Sequence, residues 1–151
     1  MGITFFSESA AVLAHEGLPL FEEHAREQVH SDLPLDLDLD AYQRADFLGI
    51  LRVYTVRDAG VLVGYGVYAV TYSWRHRTSL QATQDSLYLI PPLRGRTVGV
   101  RFMNFIESAL RSEGVQVLRQ HTHPGTAMDG IMARLGYEHA HNEWELRLDK
   151  E

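Results

Sequence analysis

The sequence predicts an α/β (α+β) fold, a mixed central sheet flanked by helices, and three stretches carry that expectation. Leu51–Arg57 and Val61–Tyr72 are β-prone runs joined by the turn Asp58-Ala59-Gly60, which is a hairpin pattern. Gln81–Ile90 reads as a further strand that must stop at Pro91-Pro92, because proline has no N–H to give to a ladder. From about Thr97 the apolar spacing turns helical: Val98, Phe102, Phe105, Ile106, Ala109 and Leu110 recur at three and four, and Arg101, Asn104, Glu107, Ser108 and Arg111 hold the other face. Gly114 stands where a left-handed C-terminal cap is wanted.

Taken in order, Ile3–Phe6 is a short β-prone start. A helix is expected after Leu18-Pro19, since proline suits a first turn. Leu20, Phe21, Ala25 and Gln28 share one face with His24, and Glu27 lies three residues on, within reach of it. That pair is either polar chemistry aimed into a substrate cleft or a partly buried histidine satisfied by its neighbour. Between Ser31 and Asp40 leucines alternate with Asp36, Asp38 and Asp40. The triplet imitates the start of a calcium loop, but Ala41 and Phe47 stand where such a loop needs glycine and glutamate, so calcium is not expected. Asp40 is instead expected to cap a short helix over Ala41–Leu48.

In the hairpin, Gly64 and Gly66 predict a bulge or a close backbone approach. The aromatic and basic loop Tyr72–Thr78, with Trp74, Arg75, His76 and Arg77, either lines an acceptor site or covers the core. Val115–His121 reads as a strand, broken by His123-Pro124-Gly125. A last helix from about Thr126 to Leu135 ends at Gly136, and Tyr137–Leu148 is expected to return to the sheet as a strand. The order is β α α β β β α β α β, in one domain spanning 1–151.

Bulk properties narrow the function. A chain of 151 residues with 45% hydrophobic and 23% charged content suits one ordinary globular domain. A net charge of −6 argues against nonspecific nucleic-acid binding, which needs a basic face. With no cysteine, a disulfide framework, a thiol nucleophile and a thiolate zinc site are excluded. No apolar run approaches the ~18 residues of a membrane span and no signal-peptide pattern opens the chain, so a cytoplasmic protein is expected. His121-x-His123 and His139-x-His141 would each place two imidazoles on one strand face. No carboxylate cluster joins them, and no metal is expected.

A strand that feeds a glycine loop and then a helix N-terminus can hold phosphate. The first helical turn has four N–H groups without intrahelical partners and about half a positive charge, and glycine lets an anion approach the backbone. Arg94, Arg96 and Arg101 add positive charge there. The same loop can equally be a β–α turn that uses glycine only for packing.

The run Leu87-Tyr-Leu-Ile-Pro-Pro-Leu-Arg-Gly-Arg-Thr-Val-Gly-Val100 resembles the acetyl-CoA signature of the GNAT superfamily of N-acetyltransferases. The family pattern is a strand and a proline, then Arg or Gln, two residues, Gly or Ala, one residue, Gly or Ala. Arg94, Thr97 and Gly99 fill those places, so a Cβ stands at the middle small position. Met128–Tyr137 resembles the family's last helix, which ends in Leu-Gly-Phe or Leu-Gly-Tyr. The element order agrees from about Leu51 to Leu148, and the whole resembles the small GNAT-like proteins of phage and prophage genomes.

The resemblance implies a GNAT-like acyl-CoA N-acyltransferase fold and acetyl-CoA as co-substrate. Leu87, Leu89, Ile90, Arg94, Gly95, Arg96, Thr97, Val98, Gly99, Val100 and Arg101 would hold it, with a backbone N–H near Leu89 facing the thioester oxygen. It also implies acetyl transfer to a primary amine of an unidentified acceptor, by direct attack in a ternary complex. An amine of pKa ~10.4 needs a base near neutrality. Asp85 is the first candidate, on the expectation that burial tunes it for work near neutrality, the alternative being a solvent-facing strand residue; His24 with Glu27, and His121, follow. Relatives use a tyrosine four residues before the glycine of Leu-Gly-Phe/Tyr to protonate the leaving thiolate, and here that position is Met132. Tyr88 or water would fill the role, or the coenzyme leaves as thiolate. Dimers are common among such proteins. The rival readings are a catalytically silent CoA-binding or protein-interaction module and a longer acyl donor.

Overall fold

The computed structural model describes residues 2–28 and 30–150. The chain divides into two compact units, Met1–His121 and Thr122–Glu151.

The first unit is built on a five-stranded sheet in the order β1-β2-β3-β4-β5: β1 (Ile3–Glu8), β2 (Leu51–Asp58), β3 (Val61–Tyr72), β4 (Leu80–Leu89) and β5 (Val117–Arg119). The first four strands are antiparallel neighbours, and β5 pairs parallel to β4. Helices α1 (Ala11–His15), α2 (Leu18–Arg26) and α3 (Leu39–Phe47) link β1 to β2, and α4 (Thr97–Ser112) links β4 to β5.

The hairpin turns as its sequence predicts. Ala59 (φ 49°) and Gly60 (φ 85°) both take positive φ, the geometry whose twist suits a two-residue β-hairpin. Gly64 supplies the close approach: a Cβ there would lie 2.9 Å from the carbonyl oxygen of Tyr88 and 3.3 Å from Val56 Cγ2. Two bulges break the ladders. Val56 pairs with Gly64 and Arg57 with Leu62, leaving Val63 over; Val67 pairs with Ser86 and Tyr68 with Gln84, leaving Asp85 over.

Cross-strand partners share a face, so the core divides in two. Phe5 stacks on Phe102 with ring centroids 5.6 Å apart, and a Cβ at Gly66 would meet Ile106 at 3.3 Å; this face carries α4. The opposite face places Val53, Val67, Tyr65 and Tyr88 in one buried cluster with Leu13, Leu20 and Phe21 of α1 and α2. Arg52 of β2 pairs with Glu113 at the end of α4 at 2.8 Å, and Gly114 (φ 88°) closes that helix.

Several boundaries differ from expectation. The short helix runs over Leu39–Phe47 and not Ala41–Leu48, and its cap is Asp38, whose carboxylate accepts from the Ala41 N–H at 2.9 Å. Asp40 falls in the first turn, where its charge still suits the dipole. The five-residue α1 has no counterpart in the sequence reading. Ile90 lies just past β4, and β5 keeps only three of the residues expected over Val115–His121.

The second unit holds α5 (Ala127–Arg134), capped by the Thr126 hydroxyl, which accepts from the Asp129 N–H at 3.4 Å; Gly136 (φ 89°) follows it. The strand expected over Tyr137–Leu148 does not form: residues 137–147 carry no regular structure. Trp144, Leu146 and Leu148 stand exposed there, side chains that a neighbouring strand would be needed to bury. His139 and His141 therefore share no strand face. No group of three or more metal-ligating side chains occurs among the described residues, and no described helix is long and apolar enough to cross a membrane.

Candidate active site

The end of β4, the loop after it and the start of α4 form one continuous edge. β4 pairs with β5 only over Gln81–Thr83, after which the two part. At the parting, the His121 N–H donates to the Gln84 side chain at 2.9 Å. From Asp85 to Leu89 no described strand pairs with β4 on that side. Successive N–H groups of a strand point to opposite edges, and a residue's own N–H and C=O share one. The Ile90 N–H bonds back to Val63 on the β3 side at 3.0 Å, so the Leu89 N–H faces the open edge. The Leu89 carbonyl is already taken there by Arg94 Nε at 2.7 Å.

Pro91–Leu93 form one 3₁₀ turn, and Gly95 (φ 73°) swings the chain into α4 with no atom within 4 Å of where a Cβ would stand. Arg96 occupies the N-cap in extended conformation with no side-chain cap bond. Thr97, Val98 and Gly99 begin the helix, where N–H groups have no intrahelical acceptor. Thr97 is exposed, whereas Val98 and Gly99 are buried. This set of uncapped amides beside Arg96 fits an anionic diphosphate. Arg101, one turn on, lies over the Phe5 ring at 5.3 Å.

Arg94 does more than add charge. Its Nη1 and Nη2 donate to the two carboxylate oxygens of Glu27 at 2.8 and 2.9 Å, and its guanidinium lies 5.1 Å from the Tyr88 ring centre. That pairing holds the Glu27 carboxyl below its ordinary pKa. Tyr88 donates to Glu23 at 2.9 Å, and burial, reinforced by that carboxylate, pushes its phenol up to about 12. His24 stacks on Tyr88 with centroids 5.0 Å apart, and its Nδ1 lies 2.7 Å from the Tyr65 hydroxyl.

Asp85, the extra residue of the β4 bulge, is exposed and accepts from the Tyr42 hydroxyl at 2.8 Å. Burial and the adjacent Asp85 charge push the Tyr42 phenol up. The Ser86 hydroxyl beside it is buried without a hydrogen-bond partner among the described residues.

Of the residues singled out in the sequence, the structure brings Tyr88, His24, Glu27 and Arg94 into one cluster. Asp85 lies three residues before Tyr88 on the same strand, and His121 sits where β4 and β5 part. Met132 belongs to α5 in the second unit. Glu23, Tyr42 and Tyr65 escaped the sequence reading. Tyr65 is legible only as the side chain between Gly64 and Gly66, on the face opposite to theirs.

Residues 17–137 match the Acetyltransferase (GNAT) family, and the chain belongs to it; the class is N-acetyltransferase. No curated protein matches the sequence significantly. Solved structures share the GNAT fold. A ribosomal-protein-alanine N-acetyltransferase from Brucella melitensis biovar Abortus 2308 superposes with TM-score 0.73 at 15% identity, over 98% of this chain and 99% of that one. An aminoglycoside acetyltransferase from an uncultured soil metagenomic sample gives 0.77 at 11%, over 98% and 99%. A predicted acetyltransferase from Clostridium acetobutylicum, solved with acetyl-CoA, gives 0.67 at 10%, over 97% of each chain.

Proposed function

We propose that this protein transfers an acetyl group from acetyl-CoA to a primary amine by direct attack in a ternary complex. The observation that carries the reading is the uncapped start of α4 lying next to the open edge of β4. The amides of Thr97, Val98 and Gly99, with Arg96, would grip the diphosphate, and the Leu89 N–H would bond the acyl oxygen. The co-substrate supplies the acetyl group as a thioester. Where it has been measured, one such N–H contributes about 2.7–4 kcal/mol to the transition state.

Asp85, exposed at the bulge, would take the proton from the incoming ammonium, directly or through water. Its bulge turns it out of the ladder, a recurring device beside active sites. Glu27, held ionised by Arg94, acts as an anchor for that arginine and contributes negative charge where a cationic acceptor would arrive. A phenol at about 12 is a poor proton donor to a thiolate whose thiol has pKa ~8.5. Tyr88 therefore orients its neighbours, and the leaving sulfur takes its proton from solvent. The family match, over residues 17–137, extends from the first unit into the second, which supports reading the chain as one catalytic domain.

Calorimetry with CoA, followed by release of free thiol across a panel of amines, tests the proposal. Micromolar binding and steady turnover of at least one amine are expected. Binding with no turnover of any amine would leave a silent CoA-binding module, which Met132 at the usual tyrosine position would suit; no binding at all would remove both.

A further inference from the structure

We propose that Tyr65 fixes His24 in the tautomer that carries its ring proton on Nε2, so that His24 serves the site as a hydrogen-bond donor and Asp85 as the base. Tyr65 is fully buried, at 0% exposure, and burial pushes its phenol up, so it stays protonated. A buried hydroxyl must place its proton on an acceptor or forfeit a hydrogen bond. Among the described residues its hydrogen-bond partner is His24 Nδ1, at 2.7 Å.

A neutral imidazole has one N–H and one lone pair. If Nδ1 accepts from Tyr65, the proton sits on Nε2, which can then donate and cannot accept. The opposite tautomer, and the imidazolium, would both aim a ring N–H at the phenol oxygen and strand the phenol's own proton in the core. The surroundings keep the ring in place. Phe21 packs on Tyr65 with centroids 4.5 Å apart, and Tyr88 stacks on both Tyr65 and His24. The charged and titratable groups around this cluster are Glu27 on the histidine's own helix, Tyr88 with its partner Glu23, Arg94 over Tyr88, and Tyr42 with Asp85.

A histidine so held resembles a fixed dipole more than a proton shuttle. In that tautomer Nε2 can only donate, whereas drawing a proton from the amine would need the lone pair that the tautomer removes. The role of this donor rests on the acetyl-transfer reading; the tautomer itself does not.

Long-range ¹H–¹⁵N NMR of the full chain at pH 8, above the ordinary histidine pKa of ~6.5, reads the tautomer directly. In the wild type, His24 should show a protonated Nε2 and a lone pair on Nδ1, in roughly tenfold or greater excess. Tyr65→Phe should relax that preference toward a mixture while leaving the other histidines' signals in place. A wild-type His24 protonated on Nδ1 overturns the proposal, as does an unchanged tautomer in a folded Tyr65→Phe protein. Should the variant not fold, the wild-type spectrum decides alone. A protein that turned over no amine would still give this spectrum, so the two readings fail separately.

Discussion

Both oxygens of the Glu27 carboxylate accept from the Arg94 guanidinium, at 2.8 and 2.9 Å, and this ties the loop leading into α4 to the end of α2. The pair is substantially exposed, with side-chain accessibilities of 39% and 42%, so its worth is limited to about 0.5–1 kcal/mol despite bidentate geometry. Because the folded-state pKa of Glu27 is depressed, its contribution is present above the unfolded carboxylate value of ~4.3 and is lost as pH falls through the folded one. Glu27→Gln should therefore lower Tm by about 1–4 °C at pH 7. In thermal melts the gap from wild type should close well below pH 4; a gap that persists there refutes the account.

Thr97 is the first residue of α4, and the residue before it is extended (φ −113°, ψ −175°), a conformation that proline tolerates at its N-terminal side. Thr97→Pro thus deletes one N–H from the proposed diphosphate cradle and leaves the helix intact. A hydrogen bond to a charged group is worth about 1.5–3 kcal/mol, so CoA affinity should fall roughly 10- to 150-fold in calorimetry, with Tm nearly unmoved. Undiminished affinity would place the diphosphate elsewhere.

Asp85 and Tyr42 separate base from support. Asp85→Asn keeps the shape of the bulge and removes the proton acceptor, and should cut kcat about 10²- to 10⁴-fold with little effect on CoA binding. Tyr42→Phe removes only the 2.8 Å hydrogen bond and should cost less, about tenfold in kcat. Equal losses from the two variants would make Tyr42 the essential group.

At Gly64 the backbones of β3 and β4 approach closely. A methyl group there would stand 2.9 Å from the Tyr88 carbonyl oxygen, which cannot move without disturbing β4. Gly64→Ala should destabilise the fold by about 1–3 kcal/mol in denaturant titration. Gly130→Ala, whose Cβ would meet nothing within 4 Å, should be neutral or slightly stabilising.

What the sequence made legible was local. β3 falls on Val61–Tyr72 and α4 starts at Thr97, because a hairpin turn, a double proline and a 3.6-residue stripe are read within a few positions. Two kinds of feature escaped. The five residues of α1 are too few to show a period, and the cap moved from Asp40 to Asp38 in a run where every second residue is an aspartate. The other kind is non-local. The stretch Tyr137–Leu148 predicted a strand, but a strand needs a partner, and local propensity names none. The site divided in the same way: Arg94, Asp85, Tyr88 and His24 were visible in motif and pattern. Their partners Glu23, Tyr42 and Tyr65 become neighbours only when α2, α3 and β3 pack together.

β5 joins the sheet through three residue pairs and reaches it only after the 16-residue α4, whereas β1 to β4 are zipped along most of their lengths. The seam between β4 and β5 is therefore the cheapest place in the first unit to come apart. A molecule lying along that seam would act as a missing strand, and whatever grips it would stiffen the same edge of the sheet that the backbone alone leaves slack.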